Sequence, residues 1–195
     1  MNTYIDTPRG KYYYSPASLF LGVKKIDVQK AKDNLLLLNK LAQEHGFKFI
    51  LFFGSLLGAV REKGLIEHDE DIDIAILSED KDKFLDFLHI IRPYGFNLVR
   101  YDRRGDLYSV MRNGEYIDIY VMFEVYPTVL GTGGFLYPQK YFNILTEYDL
   151  FGDKFWIPKE YEEALTFIYG ETWRTPIKYA NFEMSKAKRF FFISF

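Results

Sequence analysis

The segment 68–77, His-Asp-Glu-Asp-Ile-Asp-Ile-Ala-Ile-Leu, constrains the fold of this chain more than any other segment. Asp69, Asp71 and Asp73 are spaced by two, and side chains at that spacing point to one face of a β-strand. The isoleucines between and after them belong in a core, so a strand over Ile72–Leu77 would hold a row of carboxylates opposite a buried face. Like charges held this close repel unless they are neutralised, which favours a hard divalent cation bound through oxygen.

A second strand carries one further acid. Asp118 lies alone in the apolar, β-prone run Tyr116–Phe123, where a charge is costly unless it is paired or coordinated. If the two strands are neighbours, Asp118 joins Asp71 and Asp73, and three carboxylates could hold one or two Mg²⁺ ions against a phosphate. The structural alternative is a salt bridge from Asp118 to Arg112 or to a nearby lysine.

A Gly-Ser turn precedes the first acid strand. We predict a short strand over Phe47–Phe53, then Gly54-Ser55, then a helix over Ser55–Lys63. Glycine permits a close approach of the backbone, and the N–H groups at the start of the helix, with the Ser55 hydroxyl, could bind an anion. Arg61 would add a bidentate phosphate contact only if its side chain turned toward the site.

The remaining pattern predicts an α/β (α+β) fold. A small mixed β-sheet would be flanked by helices and followed by a C-terminal helical segment, since single strands and helices alternate before a run of three strands. An Asn113-Gly114 hairpin turn would join the last two of those strands. Segments 1–25 and 124–150 are predicted to be irregular and loop-rich. The other predicted elements are a helix from the N-cap Asp27 to Gly46, a helix over Glu79–Arg92, strands over Phe96–Tyr101 and Leu107–Arg112, and a helix from Pro158 to Tyr169 ended by Gly170.

Composition narrows the class of protein. A chain of 195 residues with 48% hydrophobic residues is most simply one domain, 1–195. A formal charge of −2 without a basic stripe disfavours nucleic acid as a partner. The absence of cysteine excludes disulfides, cysteine-ligated zinc and a thiol nucleophile. We see no signal peptide and no apolar run long enough to span a bilayer, so we expect a cytoplasmic location.

The C-terminal tail, 178–195, is basic and then aromatic. Lys186, Lys188 and Arg189 precede the segment 190–195, Phe-Phe-Phe-Ile-Ser-Phe. Such a tail suits peripheral contact with the inner face of a membrane. It also suits a final strand or helix end docked on the core, and we favour that interpretation.

The combination of these motifs resembles the LicD family of the nucleotidyltransferase superfamily. That family includes bacterial phosphocholine transferases and the fukutin-type glycan enzymes. The resemblance covers about residues 28–177, and the matching strings are Gly54 to Arg61, Lys63 to Ile66, Asp69 to Ile74, Ile157-Pro158, Leu165 and Tyr169 to Trp173 ahead of Pro176.

The resemblance implies a nucleotidyltransferase-like fold and a phosphotransferase activity. A phospho-alcohol group, phosphocholine or a polyol phosphate, would pass from a CDP-linked donor to a sugar hydroxyl of a cell-surface glycan or a lipid-linked sugar. Carried over by position, the residues have two roles. Mg²⁺ or Mn²⁺ would be bound by Asp71, Asp73 and Asp118, although Asp118 could instead act as the base. Asp69 would be a metal ligand through water. The donor phosphates would be held by Gly54, Ser55 and Arg61.

The chain departs from the family pattern at two places. Glu70 stands where the acid-rich string usually has a further aspartate, and Met122-Phe123-Glu124 stands where a proline and an acid often follow. Two other functions remain open. A nucleotidyltransferase would use the same acids on an NTP and release pyrophosphate, and a non-catalytic binding module would keep the fold without the reaction.

Overall fold

The computed structural model describes residues 3–19 and 24–176, so the C-terminal tail lies outside the described residues. The strands are β1 Thr3–Thr7, β2 Gly10–Tyr14, β3 Ile50–Leu51, β4 Ile72–Leu77, β5 Asn97–Asp102, β6 Leu107–Arg112, β7 Glu115–Tyr126, β8 Val129–Thr132, β9 Phe135–Pro138, β10 Leu145–Leu150 and β11 Asp153–Pro158. The helices are α1 Val28–Glu44, α2 Phe53–Arg61, α3 Lys81–Ile91, α4 Lys140–Asn143 and α5 Tyr161–Tyr169.

One mixed sheet organises most of these elements, as the sequence predicts. Its strand order is β10-β11-β3-β4-β7-β6-β5, and β8 and β9 extend it from the far end of β7. The pairs β4–β7 and β11–β3 are parallel, and the other pairs in the sheet are antiparallel. Strand β4 has the predicted bounds and lies at the centre of the sheet. Its pairing with a strand on each side fixes the position of its acids.

The alternation along β4 and β7 separates two hydrophobic clusters. Ile72 and Ile74 of β4 belong to a cluster that also contains buried residues of α1, α2 and α3. Ala75 of β4 and Met122 of β7 belong to a second cluster, which contains buried residues of α4 and α5. The acids are thus fixed on the same strand face as Ala75 and Met122, because neighbouring positions along a strand point to opposite faces.

The predicted first helix is confirmed at both ends. The Asp27 carboxylate accepts a hydrogen bond from the Lys30 backbone N–H at 3.2 Å, so it caps the N-terminus of α1. Gly46 follows the helix with a φ of +73°, the left-handed conformation for which glycine is favoured after a helix end. None of the helices in the described ranges is both long and apolar enough to cross a membrane.

The prediction that residues 1–25 are irregular is wrong for residues 3–14. Strands β1 and β2 form an antiparallel hairpin with Thr7 paired to Gly10. Ile5 and Tyr12 are buried in the main core, and the Tyr12 ring packs edge-to-face on His89 of α3 with centroids 4.9 Å apart. Alternate positions of this short hairpin are exposed, so its apolar signal in the sequence is weak.

The boundaries around the Gly-Ser turn also differ from the prediction. Only Ile50–Leu51 pair as strand β3, because Phe53 has a φ of +32° and already begins helix α2. The aromatic rings of Phe47 and Phe49 pack against Phe87 of α3. Their hydrophobicity therefore reflects core packing and not strand pairing.

The second half of the chain has more regular structure than predicted. Residues 124–150 contain the end of β7, all of β8 and β9, helix α4 and strand β10. Pro158 ends strand β11 opposite Leu145 and does not open a helix. Helix α5 begins at Tyr161, three residues later, and ends at Gly170 as predicted.

Candidate active site

The parallel pairing of β4 with β7 brings the predicted acids together. Asp73 lies directly opposite Asp118 in the register of the two strands. One carboxylate oxygen from each of Asp71, Asp73 and Asp118 lies within 4.8 Å of the other two. We call these three residues the acid triad.

Burial and mutual repulsion perturb the acid triad. Asp73 is 8% exposed and Asp118 is 3% exposed, whereas Asp71 is half-buried. Burial, then the charges of Asp118 and Asp69, raise the pKa of Asp71 to about 7. Burial and the neighbouring acids raise the pKa of Asp73 well above its ordinary value. Three crowded oxygen ligands of this kind could hold a hard divalent cation, because the cation would relieve the repulsion that raises their pKa.

The Gly-Ser turn holds Asp73 in place. The Gly54 N–H donates to Oδ2 of Asp73 at 3.1 Å, and Oγ of Ser55 accepts from the Asp73 N–H at 2.9 Å. A Cβ atom on Gly54 would collide with the Asp69 carboxylate and lie 3.3 Å from Oδ2 of Asp73, so only glycine fits here. Phe53, with its positive φ, supplies the sharp bend into α2. In this structure the turn contacts an acid, and its role toward a phosphate stays a prediction.

Asp118 has a different set of partners, which the sequence reasoning missed. Ser109 on β6 donates its hydroxyl to Oδ1 of Asp118 at 2.5 Å, and Nη2 of Arg100 on β5 donates to Oδ2 at 2.5 Å. Nε of Arg100 also donates to Oγ of Ser109 at 2.8 Å. These contacts oppose the effect of burial, which nonetheless raises the pKa of Asp118.

Part of this arrangement could have been found from the sequence. The two-residue turn at Asn113-Gly114 pairs Arg112 with Glu115, and counting outward from it places Ser109 opposite Asp118. Arg112, predicted as the alternative salt-bridge partner, instead donates to Oδ1 of Asn34 and to the carbonyl of Tyr94. The predicted salt bridge to Arg112 is therefore wrong, and the basic partner is Arg100.

Four tyrosines lie around the acid triad. Burial and the charge of nearby triad members raise the pKa of Tyr116, Tyr120, Tyr137 and Tyr169. All four therefore keep their phenolic proton at neutral pH.

Asp69 and Arg61 occupy more peripheral positions. Asp69 lies against Gly54 and contributes to the raised pKa values of Asp71 and Asp73, but it lies outside the 4.8 Å group. Its backbone carbonyl accepts from the Ile26 N–H at 2.9 Å, which ties the acid loop to the start of α1. The Arg61 guanidinium donates to the Trp173 carbonyl at 3.1 Å and pairs with Glu62 at 2.6 Å, so its described bonds lie away from the acid triad.

The family of this chain follows from a match over its central region. Residues 46–160, more than half of the chain, match the model described as LicD/FKTN/FKRP, nucleotidyltransferase domain. The chain belongs to the LicD family. The matched region contains every member of the acid triad together with Gly54, Ser55 and Arg100.

Curated relatives agree with this assignment. The mouse ribitol-5-phosphate transferase FKTN is 28% identical over 163 residues, covering 77% of this chain and 34% of FKTN. An uncharacterised Rickettsia prowazekii protein, RP689, is 31% identical over 135 residues, covering 68% of this chain and 46% of that protein. The chain thus spans about a third to a half of the length of the curated relatives it matches.

A solved structure supports the same fold. The solution structure of the antibiotic-resistance factor ANT(2'')-Ia superposes with a TM-score of 0.52 at 14% identity, covering 80% of this chain and 79% of that one. At that identity the likeness concerns the fold alone. The predicted nucleotidyltransferase-like fold is confirmed.

Proposed function

We propose that this LicD-family chain transfers a phospho-alcohol group from a CDP-linked donor to a sugar hydroxyl of a cell-surface glycan or a lipid-linked sugar, in a reaction that depends on Mg²⁺ or Mn²⁺. The observation that carries the proposal is the acid triad inside the matched family region. Among the described residues, neither Asp71 nor Asp73 forms an ion pair with a lysine, arginine or histidine. Two acids without an ion-pair partner, one buried and one half-buried, are costly beside a third, and a bound cation would explain their cost.

The donor set suits such a cation. Asp71, Asp73 and Asp118 offer carboxylate oxygens, the ligand type that Mg²⁺ and Mn²⁺ prefer, and no cysteine competes for a softer metal. A divalent cation held there would supply positive charge against the phosphate oxygens of the donor. The Gly54 N–H donates to the Asp73 carboxylate, and the Asp73 N–H donates to Oγ of Ser55, so this ligand is fixed before anything binds and less reorganisation is required on binding.

The reaction is a displacement at phosphorus. The acceptor hydroxyl oxygen forms a bond to the phosphorus that carries the alcohol, the bond from that phosphorus to the CMP oxygen breaks, and CMP leaves. The hydroxyl proton passes to a carboxylate. Asp71 suits that role better than Asp118, because Asp71 is half-buried while both Asp118 oxygens already accept strong hydrogen bonds. Alignment and charge neutralisation would supply most of the rate.

The direct test is product analysis. Purified protein is incubated with Mn²⁺ or Mg²⁺, glycan acceptors, and a panel containing CDP-ribitol, CDP-choline, CDP-glycerol and NTPs, and the nucleotide products are separated by chromatography. We expect CMP from one CDP-alcohol, abolished by EDTA and by Asp73→Asn. The matched control is Asp149→Asn. This substitution makes the same chemical change at a side chain on β10 that is 75% exposed.

Two outcomes would contradict the proposal. Pyrophosphate from an NTP, in place of CMP, would assign the chain the nucleotidyltransferase reaction instead. CMP release that survives Asp73→Asn would exclude the acid triad as the reactive centre. The first outcome changes the donor and keeps the site, whereas the second removes the site.

A further inference from the structure

The proposal concerns Arg100 on β5, a residue to which neither the sequence reasoning nor the family resemblance gives a role. Its partners form a row across the sheet: Arg100 pairs with Ser109, Ser109 with Asp118, and Asp118 with Asp73. One polar line therefore runs from the exposed edge strand to the acid triad. Such a row is unusual in a sheet interior, because every member except Arg100 is buried.

The guanidinium of Arg100 is only partly used by these contacts. Of its five N–H groups, one on Nε goes to Ser109 and one on Nη2 goes to Asp118. The two N–H groups of Nη1 have no hydrogen-bond partner among the described residues, and the side chain is 28% exposed. Arg100 therefore presents donors to solvent from a head group that is fixed at two points.

Charge decides what these donors would bind. Arg100 is the one lysine or arginine, among residues 3–19 and 24–176, that forms an ion pair with a triad carboxylate. A phosphate entering beside three acids meets strong repulsion, which a bound cation and a fixed guanidinium would offset together. Arginine also matches phosphate geometry with parallel N–H donors, which a lysine cannot do.

We propose that Arg100 binds a phosphate group of the substrate directly, with Asp118 and Ser109 acting as positioning residues that hold its guanidinium at the rim of the acid triad. This inference rests on the proposed function, since it names a binding residue for the phosphate of the transferred group or its leaving nucleotide. It also gives Asp118 a second task, because Asp118 orients the guanidinium as well as facing the cation site.

The test uses inorganic pyrophosphate and Mn²⁺ as probes, so it does not depend on the identity of the alcohol. Binding of Mn²⁺ alone, and of pyrophosphate at saturating Mn²⁺, is measured by calorimetry for wild type, R100Q, R100K and R104Q. For R100Q we expect pyrophosphate binding to weaken about tenfold or more, from the loss of charge-assisted hydrogen bonds. We expect Mn²⁺ binding to tighten about twofold or more, since a positive charge beside the ligands is removed.

These two opposite changes separate direct binding from a structural role. A variant that merely disturbs the site would weaken both probes, and that result would overturn the inference. So would pyrophosphate binding that is absent in wild type or equal in wild type and R100Q. R100K keeps the positive charge but lacks the parallel N–H donors of the guanidinium, so its pyrophosphate affinity should lie between those of wild type and R100Q. It provides a second measurement if R100Q proves unstable.

R104Q is the matched control. Arg104 pairs with Asp102 and its side chain is 87% exposed, so both probes should bind R104Q as they bind wild type. The CMP-release assay is independent of this result. If wild type releases no CMP but R100Q shows the expected changes in pyrophosphate and Mn²⁺ binding, the proposed donor is rejected. If wild type releases CMP and R100Q binds both probes like wild type, only this inference is rejected.

Discussion

Asp73 and Asp118 lie opposite each other on neighbouring strands, yet their surroundings differ. Asp73 accepts a hydrogen bond from a neutral backbone N–H and forms no ion pair with any described residue, whereas Asp118 accepts from a serine hydroxyl and from the Arg100 guanidinium. The β7 side of the site is therefore neutralised by the protein itself, and the β4 side is not. The proposed cation would therefore be required chiefly by Asp71 and Asp73, and less by Asp118.

The largest expected effect tests the β4 side of the site, whose acids pair with no lysine, arginine or histidine among the described residues. Asp73→Asn should lower CMP release by about a thousandfold or more, because the change removes a charged ligand that the turn has already positioned. Steady-state CMP release, with Asp149→Asn as the control and circular dichroism as a check on folding, measures it. A folded Asp73→Asn protein with near-wild-type turnover would refute the assignment of β4 as the reactive side.

The next effect concerns the close approach that Gly54 permits. Gly54→Ala should reduce CMP release about a hundredfold, since its Cβ would displace the Asp69 carboxylate and crowd Asp73. Gly64→Ala is the matched control, because a Cβ there meets only ordinary contacts at 3.9 Å and Gly64 has no positive φ. Equal activity of the two variants would show that the tight fit around Gly54 has no functional consequence.

Thermal unfolding without metal should distinguish Asp73 from Asp118, because substitution of the two residues should shift the unfolding temperature in opposite directions. At a pH where Asp73 is ionised, Asp73→Asn should raise the unfolding temperature by about 2–4 °C, as expected when a buried, repelled charge is removed at a gain of about 1 kcal/mol. Asp118→Asn should lower it by a similar amount, because Arg100 and Ser109 would lose their charged partner. Scanning calorimetry in EDTA measures both shifts. Shifts in the same direction would mean that the protein neutralises the charges of Asp73 and Asp118 to a similar extent.

A further expected effect is a pH dependence of the metal-free protein. Asp71 keeps its proton up to about pH 7 in the folded chain but only to about pH 4 in the unfolded chain. Between those values the folded state binds more protons, so the Asp71 contribution makes the free energy of unfolding fall as pH rises.

Other carboxylates act in the opposite direction, as Asp27 does with its lowered pKa, so a difference between variants is the useful quantity. The unfolding temperature of Asp71→Asn minus that of wild type should increase from pH 5 to pH 8 in EDTA. A difference that stays constant across this range would show that Asp71 titrates as an ordinary surface acid.

The sequence allowed the centre of the sheet to be predicted more accurately than its margins. Strand β4 and the Asn113-Gly114 hairpin carry strong local signals, alternation in the first case and a two-residue turn with positive φ in the second. The β8–β9 segment carries a misleading signal, because its glycines suggest flexibility. Gly131 in fact lies in a strand where a Cβ would be 2.6 Å from the Val125 side chain, so it is needed for packing.

The site was predictable to the extent that its residues share a strand or a motif. Asp71, Asp73 and Gly54 are visible because spacing alone places them, and Asp118 because a lone acid in an apolar strand demands a reason. Arg100 is invisible to that reasoning, since its contact with Asp118 depends on the register of two successive hairpins. The direction of the Arg61 side chain likewise depends on its hydrogen bond to the Trp173 carbonyl, which no spacing rule predicts.

The direct register of β4 on β7 also has a consequence for folding kinetics. Asp73 meets Asp118 only when two strands far apart in the chain have paired, and a slip of one residue would send Asp118 to the opposite face of the sheet. Contacts of such long range form late, after local helices and hairpins. If the acid triad binds the proposed cation, that binding should coincide with completion of the central sheet, and a bound paramagnetic ion would then report the time of the last folding step.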